Sequence, residues 1–178
     1  MDTSHPTRRR AAALVLCLAA AGMAPALARD SATPPQVALS YSDPGAFTEA
    51  RENPSESDRA RQAWLDVLRR HAEQRAARQL APGQRLDITV TDIRRAGRFE
   101  PWRGPSMDQV RIVRDVYPPR IALRFEWQGA DGRLLKSGER TLSDPAFMMR
   151  ASTRSDDPLR YEKTLLDDWL DRELRAAD

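Results

Sequence analysis

The sequence is poor in the side chains that most enzymes use for nucleophilic catalysis or metal binding. It contains one cysteine, Cys17, and two histidines, His5 and His71, in 178 residues. A single cysteine forms no disulfide within the chain, so packing must stabilise the fold. Beyond residue 28 only His71 remains of these three residues, which excludes cysteine nucleophiles and zinc sites of the usual Cys and His kind.

Glycine-rich motifs for nucleotides and acyl transfer are also missing. The sequence has neither G-x-x-x-x-G-K-[ST] nor G-x-G-x-x-G, the patterns that place backbone N–H groups around phosphates. It has no nucleophile-elbow glycine pattern for a Ser-His-Asp triad either. We therefore expect no cofactor, and we favour a protein that is not an enzyme.

The first 28 residues have the layout of a secretory signal peptide. Arginines at 8–10 precede an apolar run at 11–24, and Ala26-Leu27-Ala28 supplies the small residues that a signal peptidase accepts. The apolar run is shorter than the roughly 20 residues that a spanning helix needs. We predict cleavage after Ala28, with no stable membrane anchor afterwards.

The same segment favours the general secretory route to the periplasm. Leu16 precedes Cys17, whereas a lipoprotein signal has a small residue there. Alanines follow the arginine pair, where the twin-arginine signal has bulky hydrophobic residues. Residues 29–35 form a polar, proline-containing leader that we expect to be mobile, and residues 36–178 are the length of one domain.

The charge of the chain does not indicate a nucleic-acid partner. The net charge is +3, but residues 1–28 hold three arginines and one aspartate, so removing them leaves +1. Proteins that bind nucleic acids usually carry a basic patch or stripe. The expected partners are an envelope protein or a glycan.

Four segments are predicted strands, and the first two alternate in the period of half-buried strands. Asp43-Pro44-Gly45 predicts a turn after the first, and Gly129 to Gly132 predicts a hairpin between the last two. Gly138 is a candidate bulge in the return strand. The four segments are Val37–Tyr41, Leu86–Val90, Ile121–Trp127 and Leu134–Leu142.

A helical period runs from Ser57 to Leu80. Ser55 with Asp58 resembles a capping box at its start, and Pro82-Gly83 ends it. His71 is expected to be a hydrogen-bonded interior residue rather than a base. The predicted apolar stripe is Ala60, Trp64, Val67, Leu68 and His71.

A second helix is predicted after Asp157-Pro158, which supplies an N-cap followed by proline. Its apolar face is Tyr161, Leu165, Leu166, Trp169 and Leu170. The fold class is therefore α+β, a mostly antiparallel sheet of about four strands with two helices packed on one face. The element order is β-α-β, a long connection, then β-β-α.

Four stretches together resemble a known family. They are "FEPWRGP", "VRIVRDVYPPRI", "LKSGERTLSD" and "DDPLRYEKTLLDDW", and they are similar to secreted Gram-negative proteins of domain-of-unknown-function family 3016. The resemblance implies an exported, single-domain protein. It implies no catalytic or binding residue, because the family has no assigned activity.

The segment between Ile93 and Ile121 is long for a structureless connection in a compact domain, so we expect it to be functional or structured. Val110 and Ile112 favour an edge strand over a short turn capped by Ser106 and Gln109. Trp102 either plugs the core or faces outward as a contact residue. The candidate binding residues are Glu100, Trp102, Arg103, Asp108, Arg111, Asp115, Tyr117 and Arg120.

Three functions remain open. The favoured one is a non-enzymatic module that binds an envelope component through this segment. The alternative is a hydrolase of envelope glycans that uses Glu100, Asp108 or Asp115 as acid or base, although arginines nearby favour simple ion pairing. A third is small-ligand binding between the sheet and the helices. The pairs at 156–157 and 167–168 lack the alternating layout of a calcium loop, so we expect no metal site.

Overall fold

The four predicted strand segments form one mixed sheet in the computed structural model. The model describes residues 36–104, 110–150 and 156–175, together with Met1, and all but Met1 belong to one compact unit spanning Pro34–Asp178. The predicted signal peptide and leader, Asp108 and the Ser106–Gln109 turn lie outside the described residues. The strands are β1 (Val37–Tyr41), β2 (Arg85–Arg94), β5 (Arg120–Gln128) and β6 (Leu134–Ser143), with β3 (Arg98–Phe99) and β4 (Arg111–Ile112) pairing separately.

The sheet order is β1-β2-β5-β6. β1 runs parallel to β2, which a helical crossover permits, and the two other pairs are antiparallel. The register shifts between Val90 and Asp92 and between Trp127 and Gln128. Gly138 pairs directly with Phe125, so the predicted bulge at Gly138 is wrong.

Two long helices cover one face of the sheet. They are α2 (Asp58–Ala77) and α4 (Arg160–Arg175), and both share the main hydrophobic core with the inward side chains of the strands. Leu68 of α2 and Leu170 of α4 are essentially inaccessible to solvent. This arrangement confirms the predicted α+β class with helices on one face.

The start of α2 departs from the prediction by two residues. Its N-cap is Ser57, whose side chain accepts the N–H of Ala60, so the capping pair of Ser55 and Asp58 is wrong. Ala60 is exposed, so its place in the predicted apolar stripe is wrong. The buried positions include Arg61, Leu65, Ala72 and Ala76 besides the predicted Trp64 and Leu68.

Short elements complete the fold. They are α1 (Thr48–Glu52), α3 (Phe147–Arg150) and two single 3-10 turns, Pro44–Ala46 and Pro101–Arg103. A second small core beneath the connection contains Ala96, Phe147 and Tyr161. Within the described ranges, no helix has the length and apolar character needed to cross a bilayer.

Candidate functional site

Residues 95–119, which we call the connection, leave the end of β2 and return to the start of β5. Their first two backbone N–H groups are bound by buried carboxylates from other parts of the chain. The N–H of Arg95 donates to Glu49 Oε2 at 3.0 Å, and the N–H of Ala96 donates to Glu162 Oε1 at 2.7 Å. Because α1 supplies one carboxylate and α4 the other, two helices fix the course of the connection.

Gly97 lets the connection double back on itself. Its φ is +81°, a conformation that disfavours residues with a Cβ, and a Cβ there would lie 2.7 Å from the carbonyl oxygen of Ile112. The close approach allows β3 and β4 to pair as a two-stranded ribbon. The predicted strand near Ile112 therefore exists, but it does not extend the main sheet.

Arg111 ties the two arms of this ribbon to the body of the protein. Its guanidinium donates to the carbonyl of Gly97 at 3.2 Å and to the buried carboxylate of Glu49. It also stacks over the Phe99 ring, 4.7 Å from the centroid. Arg111 is a candidate binding residue whose side chain is already used within the fold.

Glu100 is buried, with 1% of its surface exposed, and three side chains hold its carboxylate. The Tyr117 hydroxyl donates to Oε1 at 3.0 Å, Arg103 donates to Oε2, and Arg114 lies 3.5 Å from Oε1. Burial raises the pKa of Glu100, but the hydrogen bonds of Tyr117 and Arg103 and the charges of both arginines outweigh it, so the pKa lies below its usual value.

Glu162 has the opposite electrostatic character. Burial raises the pKa of this carboxyl, and the hydrogen bond from Ala96 N–H and the charges of Arg95 and Arg111 lower it by less. Its Oε2 is buried with no hydrogen-bond partner among the described residues. The arginines of the connection therefore stabilise Glu100 as an anion far better than Glu162.

Trp102 lies two residues after Glu100 and faces solvent, with 68% of its surface exposed. Of the two predicted orientations, the structure has the outward one. A groove of about 280 Å³ lies beside it, lined by residues 52–55 at the end of α1 and by Arg98, Phe99 and Pro101 of the connection. The connection also exposes Val110 and Val116.

The structure brings together only some of the candidate residues. Glu100, Arg103 and Tyr117 are in direct contact, and Arg111 pairs with Glu49 instead. Asp115 is exposed, and its carboxylate accepts the N–H of Val116 at 2.9 Å. Arg120 is exposed at the start of β5, and Asp108 is not among the described residues.

Sequence reasoning missed Glu49 and Glu162. Glu162 carried a signal, because it lies three, four and seven residues before Leu165, Leu166 and Trp169, on the apolar face of α4. A charged residue at such a position normally has a specific partner. Glu49 lies in a helix of five residues, too short for periodicity to reveal its buried side.

His71 and the paired aspartates serve to join the two long helices and neighbouring segments. The Nε2 atom of His71 lies 2.8 Å from Asp167 Oδ1, so this histidine is half-buried and bonded, at the helix interface rather than inside the core. Asp168 binds Arg150. Among the described residues, no three His, Cys, Asp or Glu side chains are grouped to hold a metal ion.

Comparison with known proteins gives one match. Residues 35–172 match the model of a family described as "Protein of unknown function (DUF3016)", which covers most of the chain and confirms the resemblance inferred from the four sequence stretches. No curated protein and no solved structure matches the chain.

Proposed function

We propose that this protein, which belongs to the DUF3016 family, is a non-enzymatic module that binds a partner protein through the connection, with Trp102 at the centre of the contact. The observation that carries the proposal is the exposure of Trp102 only two residues after Glu100, whose carboxylate is buried and bonded. Tryptophan is enriched among the residues that dominate binding energy at protein interfaces.

The contacts that hold residues 95–100 of the connection support this function. Glu49 and Glu162 hold its start, and Glu100 is fixed by three side chains only two residues before Trp102. A surface that is ordered before binding loses less conformational entropy when the partner arrives. Because these contacts already order the binding surface, binding a partner need not order it again.

The chemistry around Trp102 suits a protein better than a sugar polymer. Arg98 and Phe99 line the adjoining groove, and Val110 and Val116 are exposed on the same connection. Interfaces between proteins are enriched in aromatic residues and arginine, and their centres are depleted of acidic groups. The acid nearest to Trp102 in sequence, Glu100, is buried, while Glu52 lines the adjoining groove.

Nothing specific favours the alternative, a glycan hydrolase. A general acid for glycoside cleavage has a raised pKa and reaches the substrate. The pKa of Glu100 is lowered by its partners, and its carboxylate is occupied by Arg103 and Tyr117. Hydrolysis through Glu100, Asp108 or Asp115 stays a prediction from the sequence.

The proposed place of action is the periplasm, on the strength of the signal-peptide pattern in residues 1–28. Mass spectrometry of the protein from a periplasmic fraction tests this part. An N-terminus at Arg29 is the expected result, and the intact chain retained in the cytoplasm contradicts it.

The binding proposal is tested by crosslinking in cells that express the wild type or Trp102→Ala. We expect a reproducible crosslinked protein that the variant captures at least tenfold less, because truncating a central tryptophan commonly costs about 2 kcal/mol or more of binding free energy. The affinity of the purified pair, wild type against variant, should fall by a similar factor.

Leu134→Ala is the matched control, because Leu134 is also a large exposed side chain but lies in the β5–β6 hairpin. It should capture the partner as well as the wild type does. A partner retained equally by Trp102→Ala, or capture of isolated glycan strands in place of a protein, contradicts the proposal.

A further inference from the structure

A cavity of about 670 Å³ opens at the opposite end of the sheet from the connection. β5 starts beside the connection at Arg120, and Trp127, seven residues later, forms part of the cavity wall. Seven residues of strand span about 23 Å. The cavity is therefore independent of the surface around Trp102, and its volume lies within the roughly 300 to 1,000 Å³ of small-molecule pockets.

One side of the cavity is polar and preorganised. Asp171 of α4 accepts hydrogen bonds from Arg75 at 2.8 Å and from Gln79 at 2.6 Å, and Arg175 lies 3.0 Å from its other oxygen. Burial raises the pKa of Asp171, but the Gln79 hydrogen bond and the charges of both arginines lower it by more. The pKa therefore lies below its usual value, and Asp171 stays ionised. The carboxylate holds these donors in place around the cavity.

The other charged wall belongs to β6. Lys136 lies 2.8 Å from Glu173, which also accepts a hydrogen bond from Arg140. Arg75 additionally lies 3.7 Å from Asp167. Of the charged residues that line the cavity, three are cations, Arg75, Lys136 and Arg175, and one is a carboxylate, Asp171, so positive charge is in excess.

The remaining wall is apolar. Trp127, Leu135 and Leu174 line it, and Leu135 is a large hydrophobic residue left exposed. The indole N–H of Trp127 is buried and has no hydrogen-bond partner among the described residues, although such groups normally have one. The wall thus combines an apolar surface with a donor that the described part of the protein does not use.

We propose that this cavity binds a small carboxylate with an apolar body, whose charged group lies by Lys136 and whose body packs against Trp127 and Leu135. The excess of positive charge among the residues that line the cavity favours an anion. An apolar body replaces water on the exposed leucine, and this burial favours binding.

Octanoate is the probe for this site, with 1-octanol and acetate as single-feature controls. Titration of the purified chain is followed by tryptophan fluorescence and by thermal unfolding. We expect saturable one-to-one binding of octanoate, and a rise in Tm of roughly 3–6 °C at ten times the Kd. Octanol and acetate should each bind at least tenfold more weakly, because each lacks either the charge or the apolar body.

Two variants locate the site. Lys136→Gln removes the cation while Arg140 remains to pair with Glu173, and we expect the octanoate Kd to rise about tenfold, as a lost hydrogen bond to a charged group implies. Trp127→Phe should abolish the fluorescence change while the Tm shift persists. We expect both variants to fold in the absence of octanoate, and their thermal unfolding curves check this.

Arg133→Gln is the matched control, since Arg133 is an exposed cation in the adjacent hairpin that does not line the cavity. Its Kd for octanoate should stay within twofold of the wild type. Absence of saturable binding, equal affinity for octanol, or equal losses in Lys136→Gln and Arg133→Gln would overturn the proposal.

Discussion

Two pairs of carboxylates, one pair at each end of the sheet, have different hydrogen-bond partners. At the connection end, Glu49 and Glu162 accept backbone N–H groups, those of Arg95 and Ala96. At the hairpin end, Asp171 and Glu173 accept hydrogen bonds from side chains only, among the contacts of the described residues.

The two kinds of partner have different structural effects, one on the path of the main chain and the other on the side chains of the cavity wall. A carboxylate bound to backbone N–H groups determines where the main chain goes, and its loss leaves a buried donor unsatisfied. A carboxylate bound to side chains orients groups that can turn to water when it is lost. Glu49 and Glu162 therefore fix the start of the connection, and Asp171 and Glu173 orient the side chains around the cavity.

The largest expected effect is a difference in stability between two variants, each of which removes one carboxylate from one end of the sheet. Glu49→Ala should lower the free energy of unfolding by about 3–5 kcal/mol, because it leaves Arg111 without its buried partner and Arg95 N–H without an acceptor. Asp171→Ala should cost about 1 kcal/mol, since a quarter of its side chain is exposed and its donors reach solvent. Urea unfolding of both variants measures the difference.

Glu52→Ala controls for the loss of a charge from the same short helix as Glu49, and it should change stability by no more than about 0.5 kcal/mol. If Glu49→Ala and Asp171→Ala lowered the free energy of unfolding equally, carboxylates bound to the backbone and carboxylates bound to side chains would not differ in their effect on stability. That result would contradict the comparison.

A second comparison uses two glycines with the same conformation. Gly97 in the connection has φ +81° and Gly132 in the hairpin has φ +77°, but a Cβ on Gly97 meets the backbone of Ile112 while one on Gly132 meets open space. Gly132→Ala should cost about 1 kcal/mol for the unfavourable φ alone. Gly97→Ala should cost about 3 kcal/mol or more, because the backbone must also move.

Thermal unfolding of the two glycine variants under one condition tests this ranking. Equal losses of stability would show that the approach of Gly97 to Ile112 relaxes at little cost. The ribbon of β3 and β4 would then be less rigid than the function proposed for the connection requires.

The smallest expected effect is a difference in pH dependence. The pKa of Glu162 is raised, so its contribution to stability is present below the unfolded pKa and is lost as the pH rises through the folded pKa. Glu162→Gln cannot ionise, and its stability relative to the wild type should therefore increase as the pH rises.

Glu173 should behave in the opposite sense. Burial raises its pKa, but the hydrogen bonds of Arg140 and Lys136 lower it by more, so its stabilising contribution is present above the unfolded pKa and is lost on acidification. The advantage of the wild type over Glu173→Gln should thus shrink as the pH falls. Unfolding curves between about pH 3 and pH 8 follow both variants, and slopes of the same sign would contradict the assignment.

Much of the fold was predictable because periodicity is a local property. Ile121, Leu123 and Phe125 lie at every second position of β5, and all three are buried on the helix-covered face. Tyr161 and Leu165 follow the helical period and are also buried. Ser57 and Ser55 were harder to distinguish, since either serine could precede the helix and only the observed start at Asp58 selects the cap.

The candidate site was predictable only in outline. The sequence indicated that the connection is structured and charge-paired, and Glu100 with Arg103 and Tyr117 confirms it. It indicated neither Glu49 as the partner of Arg111 nor the cavity beside Trp127, because their components are far apart in the chain.

By itself the sequence determined the α+β class, the faces of the strands and the last helix, and the family, because these depend on spacing between neighbouring residues. Tertiary structure alone decided which carboxylates are buried and that Trp102 faces outward. The physical reason is that burying a charge is stable only when other groups supply its partners, and these partners can lie far away in the sequence. A local pattern can indicate that a charged residue needs a partner, as the position of Glu162 on the apolar face of α4 does. Only the fold identifies that partner as the N–H of Ala96.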